Sequence, residues 1–176
     1  MHDDLSAQHS ADLAQGNHAG TAPVDIAFVR AGARELYAKG QDDFLAPATS
    51  QSAGMDLRAC LDVPEALIPA GGRLKVSTGI SVQPRAAGIA GFVYSRSGLG
   101  ARDGITVAQG VGIIDPDYTG EILVFLLNTS GHDRRIQNGE RVAQLIFQPY
   151  VRPRWREVTE LSATERGSGG FGHTGR

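Results

Sequence analysis

One cysteine, Cys60, stands in 176 residues, so no intrachain disulfide and no cysteine-based metal cage can form. A lone thiol suits a reducing compartment, and the expectation is a cytoplasmic protein. Long apolar runs are missing as well. The longest, Ile122 to Leu127, is far too short to cross a bilayer, which takes about 20 residues as a helix. The first residues carry Asp3 and Asp4 and no apolar h-region, which argues against a secretory signal. Nor is there an excess of one charge: 17 basic against 19 acidic side chains leave −2. A dedicated duplex-binding protein needs clustered Lys and Arg for its phosphates, so neither direct nucleic-acid binding nor a membrane is expected. An anionic small molecule remains open, because a few basic groups and backbone amides suffice for one.

Helical text is scarce too. Only Ala33–Tyr37 and Ser97–Arg102 look helical, the second with Ser97 placed as an N-cap. What fills the chain instead is short β text: Val24–Val29, Gly54–Cys60, Leu74–Val82, Ile89–Tyr94, Ile105–Ala108, Glu121–Leu127 and Arg141–Tyr150. Glycine and proline punctuate nearly every gap between them. Many short strands at this spacing predict an all-β, jelly-roll-like sandwich or barrel, and the length fits one domain. That domain is expected over 24–160. Residues 1–23 hold hardly any large apolar side chain and are expected to be a disordered tail. Residues 161–176 are expected to form a flexible arm. Its last eleven residues contain five glycines, yet they also carry Arg166, Phe171, His173 and Arg176, unusual cargo for a spacer. His132 reads as a surface-loop residue and Trp155 as a packing residue.

Three segments offer chemistry. Tyr94-Ser95-Arg96-Ser97-Gly98-Leu99-Gly100 places an arginine, hydroxyls and free amides where a strand gives way to a short helix. Such a junction makes a phosphate site, or equally a surface turn with a capping serine. Gly112 to Glu121 reads as a hairpin with Asp115, Asp117 and Tyr118 near its tip. Two large apolar residues precede Asp115; partial desolvation would keep its carboxylate basic enough for general-base work, although for Asp115 taken alone a turn role is the commoner one. Asp117 beside Pro116 has ordinary turn chemistry. In the tail, Gly167, Gly169 and Gly172 match a dinucleotide fingerprint, and Gly167 to Thr174 resembles a P-loop with His173 in place of lysine. Both fail, since too few residues follow for a helix. Local physics survives: successive glycine amides wrap a polyphosphate, and Phe171 offers a flat face to a base.

Five separated segments, in order, resemble the five motifs of the homotrimeric dUTPase family. They are Ala53-Gly54-Met55-Asp56-Leu57-Arg58-Ala59, Arg96-Ser97-Gly98-Leu99-Gly100, Gly112 to Glu121, Gly139-Glu140-Arg141-Val142-Ala143-Gln144-Leu145, and Arg166 to Gly175. The resemblance covers the chain closely from about residue 50 onward. It implies a jelly-roll-like β fold and a homotrimer whose three active sites lie between subunits, each covered by a neighbour's C-terminal arm. It also implies the substrate, dUTP, and its hydrolysis to dUMP and pyrophosphate.

Residue by residue, the resemblance makes Asp115 the group that orients and deprotonates water. Tyr118 packs on deoxyribose and leaves no room for a 2′-hydroxyl. Backbone groups from Gln109 through Val111 and Gly112 to Ile114 read the uracil edge. Arg96, Ser97, Gly98 and Gln144 contact phosphates; Arg166, Ser168 and Gly169 hold the terminal phosphate, and Phe171 stacks on uracil. Asp56 acts at most through water around Mg2+, which triphosphate and water mainly hold, as hard cations prefer. His173 neighbours the phosphates. Thr119 and Gly100 depart from the commoner residues of the family without removing any group named here; Gln109 stands where some relatives have asparagine, so the resemblance leaves base reading to backbone groups. The segment Ala33–Ala48 has no functional account.

Two rivals remain at this stage. A dCTP deaminase, or a bifunctional deaminase and dUTPase, shares the fold but needs a glutamate base and a different serine–arginine arrangement. A non-catalytic nucleotide-binding module could dispense with Asp115.

Overall fold

The computed structural model describes residues 22–38, 45, 49 and 51–170. Most of the expected N-terminal tail, most of residues 39–50, and Phe171 and His173 lie outside them. Eleven strands and two short helical turns follow in order. They are β1 (Val24–Phe28), α1 (Ala33–Tyr37), β2 (Met55–Arg58), β3 (Glu65–Ile68), β4 (Arg73–Ser77), β5 (Ile80–Pro84) and β6 (Ile89–Tyr94), then a π-helical turn (Gly98–Arg102), β7 (Ile105–Val107), β8 (Gly112–Ile114), β9 (Leu123–Asn128), β10 (Arg134–Gln137) and β11 (Arg141–Pro149). The chain is all-β and jelly-roll-like, as expected. All strand pairs are antiparallel, arranged as β1-β5, β3-β10, β4-β9-β7 and β2-β11-β6-β8.

Alternation explains the core. In β9, Val124, Leu126 and Asn128 point inward while Leu123 and Phe125 face out. Leu57, Ile80, Ile105, Ile122, Ile136 and Leu145 are likewise sealed from solvent, each worth about 1.5–3 kcal/mol of transfer free energy. Thr78, Ser81 and Asn128 are the buried polar residues among those described, and Asn128 is fully used. Its amide donates to the carbonyls of Ile68, Pro69 and His132, and its Oδ1 accepts from the Ser130 amide and hydroxyl.

Several sequence expectations are corrected here. Leu74–Val82 is two strands, because the chain bends at Thr78-Gly79, where Gly79 takes φ +75° and the Thr78 hydroxyl donates to the Ile122 carbonyl. Gly112 to Glu121 is no hairpin: β8 pairs with β6, while β9 pairs with β4 and β7. The segment is a crossing between sheets. Ser97 occupies the cap position of the π-helical turn, but its side chain makes no capping hydrogen bond. Trp155 is 91% exposed among the described residues, contrary to the expected packing. His132 is exposed in a loop, as expected. Among the described residues, regular structure ends at Pro149, and residues 151–168 are exposed without strand or helix.

Candidate active site

Three of the five sequence segments meet on one face of the β2-β11-β6 ladder. Asp56 on β2 lies opposite Gln144 on β11, and Gln144 lies opposite Tyr94 on β6. The chain then leaves β6 through Ser95 into the π-helical turn, so Arg96 stands beside both. Arg96 Nε donates to Asp56 Oδ1 at 2.7 Å, and Arg141 Nη1 donates to Asp56 Oδ2 at 3.0 Å. Gln144 Nε2 donates to the Ser95 carbonyl at 3.0 Å, while Ser95 Oγ accepts from the Val107 amide at 2.8 Å. Gly54 is small for a reason, since a Cβ there would sit 2.5 Å from Gln144 Oε1.

The mouth of this face is open. Ser97 and Gly98 are exposed, and a Cβ added at Gly98 would meet nothing within 4 Å. Arg96 and Asp56 keep about a quarter of their side-chain surface in solvent, 25% and 26%. A guanidinium, a hydroxyl and turn amides facing open space are what an oxyanion of phosphate would meet.

A second cluster forms where β8 ends. Ile113, Ile114, Asp115, Tyr118, Glu121 and Leu123 line a shallow hollow of about 210 Å³. The Tyr118 amide donates to the Asp115 carbonyl at 3.0 Å, and its hydroxyl donates to the Glu121 carbonyl at 2.9 Å. Glu121 Oε1 in turn accepts from the Gly79 amide at 2.8 Å, which ties the loop to the β4–β5 bend. Ser81 Oγ donates to the Thr119 carbonyl as a further tether. Asp115 is exposed, contrary to the expected desolvation. Ile114 alone of its two apolar predecessors turns inward; Ile113 is 62% exposed. Among the described residues its carboxylate has no protein partner.

The preceding turn is ordered by Gly110 at φ +82°, whose amide donates to the Val107 carbonyl. Gln109 and Val111 are exposed there, and Gly112 is buried against Val93.

A family model described as dUTPase matches residues 41–175. The chain belongs to the dUTPase family. A deoxyuridine 5′-triphosphate nucleotidohydrolase of Enterobacter sp. (strain 638) is 44% identical over 129 residues, covering 73% of this chain and 84% of that one. The dUTPase of Staphylococcus bacteriophage 80alpha with dUpNHpp superposes with a TM-score of 0.74 at 21% identity, covering 89% and 100% of the two chains. A mutant dUTPase from phage phi11 of S. aureus, whose structure concerns coordination of a structural Mg(II) ion, gives 0.65 at 17% identity over 80% and 99%. At those identities the two phage proteins bear on the fold alone.

Within one chain, then, Asp56, Arg96, Ser97, Gly98 and Gln144 come together, and Ile114, Asp115 and Tyr118 form a separate group. No hydrogen bond or ion pair joins the two groups among the described residues. Arg166, Ser168 and Gly169 lie on the exposed tail, folded on itself: Arg166 Nε donates to the Gly169 carbonyl at 3.0 Å, and the Gly169 amide returns to the Arg166 carbonyl at 3.1 Å. Sequence reasoning missed Arg141, Ser95 and Glu121. All three stand inside the quoted segments or one residue before them, but only their partners reveal a role.

Proposed function

We propose that the chain hydrolyses dUTP to dUMP and pyrophosphate, as a dUTP diphosphatase, at sites completed by its own trimer. The observation that carries this reading is the Asp56–Arg96–Gln144 face, where three separated segments converge beside open turn amides. The phosphates lie on Arg96, Ser97, Gly98 and Gln144. The deoxyuridine lies in the hollow of another subunit, with Tyr118 under the sugar and the backbone from Gln109 through Val111 and Gly112 to Ile114 along the uracil edge. Asp115 takes a proton from water, whose oxygen attacks the α-phosphorus. The bond from that phosphorus to the β-phosphate oxygen breaks, and pyrophosphate leaves. An exposed carboxylate without a protein partner is free to orient water, and a general base of this kind typically contributes 10²–10⁴-fold in rate.

Covering by a neighbour's arm supplies what a single chain lacks. Arg166, Ser168 and Gly169 reach the terminal phosphate, and Phe171 stacks on uracil. Exposed Leu123, Phe125 and Trp155 are surfaces that subunit contact would cover.

Among the described residues no group of three or more His, Cys, Asp or Glu could hold a metal ion. Both oxygens of Asp56 already accept an arginine N–H, yet a carboxylate has about four acceptor positions. Two remain for water, which suits a water-mediated contact of Asp56 with Mg2+. Mg2+ bound to the triphosphate neutralises part of its charge. No helix among the described residues is long and apolar enough to cross a membrane.

Product analysis of the purified chain with magnesium and dUTP, dCTP, dTTP or UTP tests the reaction. Formation of dUMP and pyrophosphate from dUTP alone is expected. Ammonia from dCTP, or no turnover at all, defeats the reading. Light scattering should return three times the 18.6 kDa chain mass.

A further inference from the structure

Asp56 is shared between two arginines, Arg96 and Arg141. Arg96 Nε takes Oδ1 at 2.7 Å, Arg141 Nη1 takes Oδ2 at 3.0 Å, and Arg96 Nη1 donates to the Arg141 carbonyl at 3.3 Å. The three residues close a ring in which Arg141 touches both others.

A backbone irregularity puts them there. The β2–β11 register runs Arg58↔Arg141, then Leu57↔Ala143 and Asp56↔Gln144, with a shift between Arg141 and Ala143. Val142 is the extra residue. Strict alternation would set Arg141 and Gln144 on opposite faces of the strand. The bulge lets Val142 and Ala143 both point into the core, at 1% and 0% exposure, so that Arg141 and Gln144 share the outer face with Asp56. Bulges re-aim side chains beside functional sites in this way.

Charge gives the contact its meaning. Arg96 and Asp56 alone form a neutral pair, and a polyphosphate arriving there would meet the Asp56 carboxylate as well as the guanidinium. With Arg141 the group carries a formal charge of +1. Arg96 uses two of its five N–H groups within the ring, which leaves three for an incoming anion.

We infer that Arg141 is a positioning residue for triphosphate binding: it neutralises and holds Asp56 so that the charge of Arg96 is available to the substrate. This rests on the reading of Arg96 as a phosphate contact. Arg141 keeps 46% of its side-chain surface in solvent, so its replacement leaves the core intact.

The test is steady-state kinetics of the full chain on dUTP at saturating magnesium, for R141Q, R141K, D56N, R141Q combined with D56N, and R96Q. R141Q should raise KM about tenfold, the scale of one partly screened charge near an anion, with kcat changed about twofold or less. R141K should recover most of that loss, because the charge returns without the fork. In the D56N background R141Q should add little, since no carboxylate remains to be neutralised. A KM unmoved by R141Q, a failure of lysine to rescue, or a full tenfold rise on top of D56N overturns the inference. If R96Q leaves KM unchanged, the phosphate reading of Arg96 falls and the inference with it; if R96Q is impaired while R141Q is not, the inference falls alone.

Discussion

Gly54 approaches Gln144 so closely that a methyl group on its α-carbon would lie 2.5 Å from Oε1. The obstacle is the far end of a flexible side chain, so Gly54→Ala should fold. It should do so by displacing the Gln144 amide from the Ser95 carbonyl, a hydrogen bond worth about 1 kcal/mol. The expected outcome is a KM for dUTP raised several-fold, about 3–10, with a thermal midpoint close to that of the parent. Kinetics and a melting curve on the same preparation check both halves.

Gly79→Ala is the opposite case. Its φ of +75° disfavours any side chain, and a Cβ would lie 2.5 Å from Ala33 Cβ and 3.0 Å from Cys60 Sγ. Left-handed backbone and overpacking each cost about 1–3 kcal/mol, so urea unfolding should show a loss of about 2–5 kcal/mol. An unchanged midpoint would mean the β4–β5 bend relaxes freely.

Asp115→Asn should abolish turnover, by about 10²–10⁴-fold, while a non-hydrolysable dUTP analogue binds nearly as before. The side chain is exposed, so stability should not move. Calorimetry of analogue binding beside rate measurements separates the two effects, and a retained rate would remove Asp115 as the base.

Tyr118→Ala should weaken discrimination against the ribonucleotide. The ring is held by its hydroxyl on the Glu121 carbonyl, and removing it opens space where a 2′-hydroxyl would fit. The ratio of kcat/KM for dUTP over UTP is expected to fall about tenfold or more; an unchanged ratio places sugar selection elsewhere.

Tyr37 predicts an alkaline limit. Burial pushes its phenol from 10.0 up to about 12, so the folded chain holds the proton that the unfolded chain gives up. The native state therefore keeps its full stability from this group below about pH 10, and loses it as pH rises from about 10 through 12. A shift of two units corresponds to about 2–3 kcal/mol. Tyr37→Phe should flatten that part of the stability–pH curve. It should also cost about 1–3 kcal/mol at neutral pH, because the Arg58 amide loses its 3.0 Å acceptor. A parent and variant with parallel curves above pH 10 would refute the assignment.

Much of this was legible in the sequence. The sequence marks β6 residue for residue, and β1, β2, β7, β9 and β11 to within a few residues at either end, because apolar alternation bounded by glycine or proline is a strong local signal. It does not mark β3 and β10, since each buries little besides Ile68 or Ile136 and otherwise carries exposed or charged side chains. They become strands by pairing with each other across a stretch of chain that holds β4 to β9, which no local pattern records. The site divided along the same line. Asp56, Arg96 and Gln144 were recognisable as members of motifs, whereas their mutual contacts, and Arg141 among them, depend on cross-strand register. Asp115 was misjudged in environment because Ile113 and Ile114 alternate, so only one of them contributes to burial. Trp155 shows the limit from the other side: a tryptophan invites the expectation of packing, but among the described residues it stands exposed.

The extra residue at Val142 constrains the chain by count and not by chemistry. Exchanging Val142 for another apolar residue of similar size keeps both inward neighbours and leaves the outer face unaltered. Deleting Val142 would restore strict alternation with Arg141 and Gln144 two residues apart and still looking out together, but the core would lose a side chain that is only 1% exposed. A segment of this kind tolerates letters changing within it far better than its length changing by one.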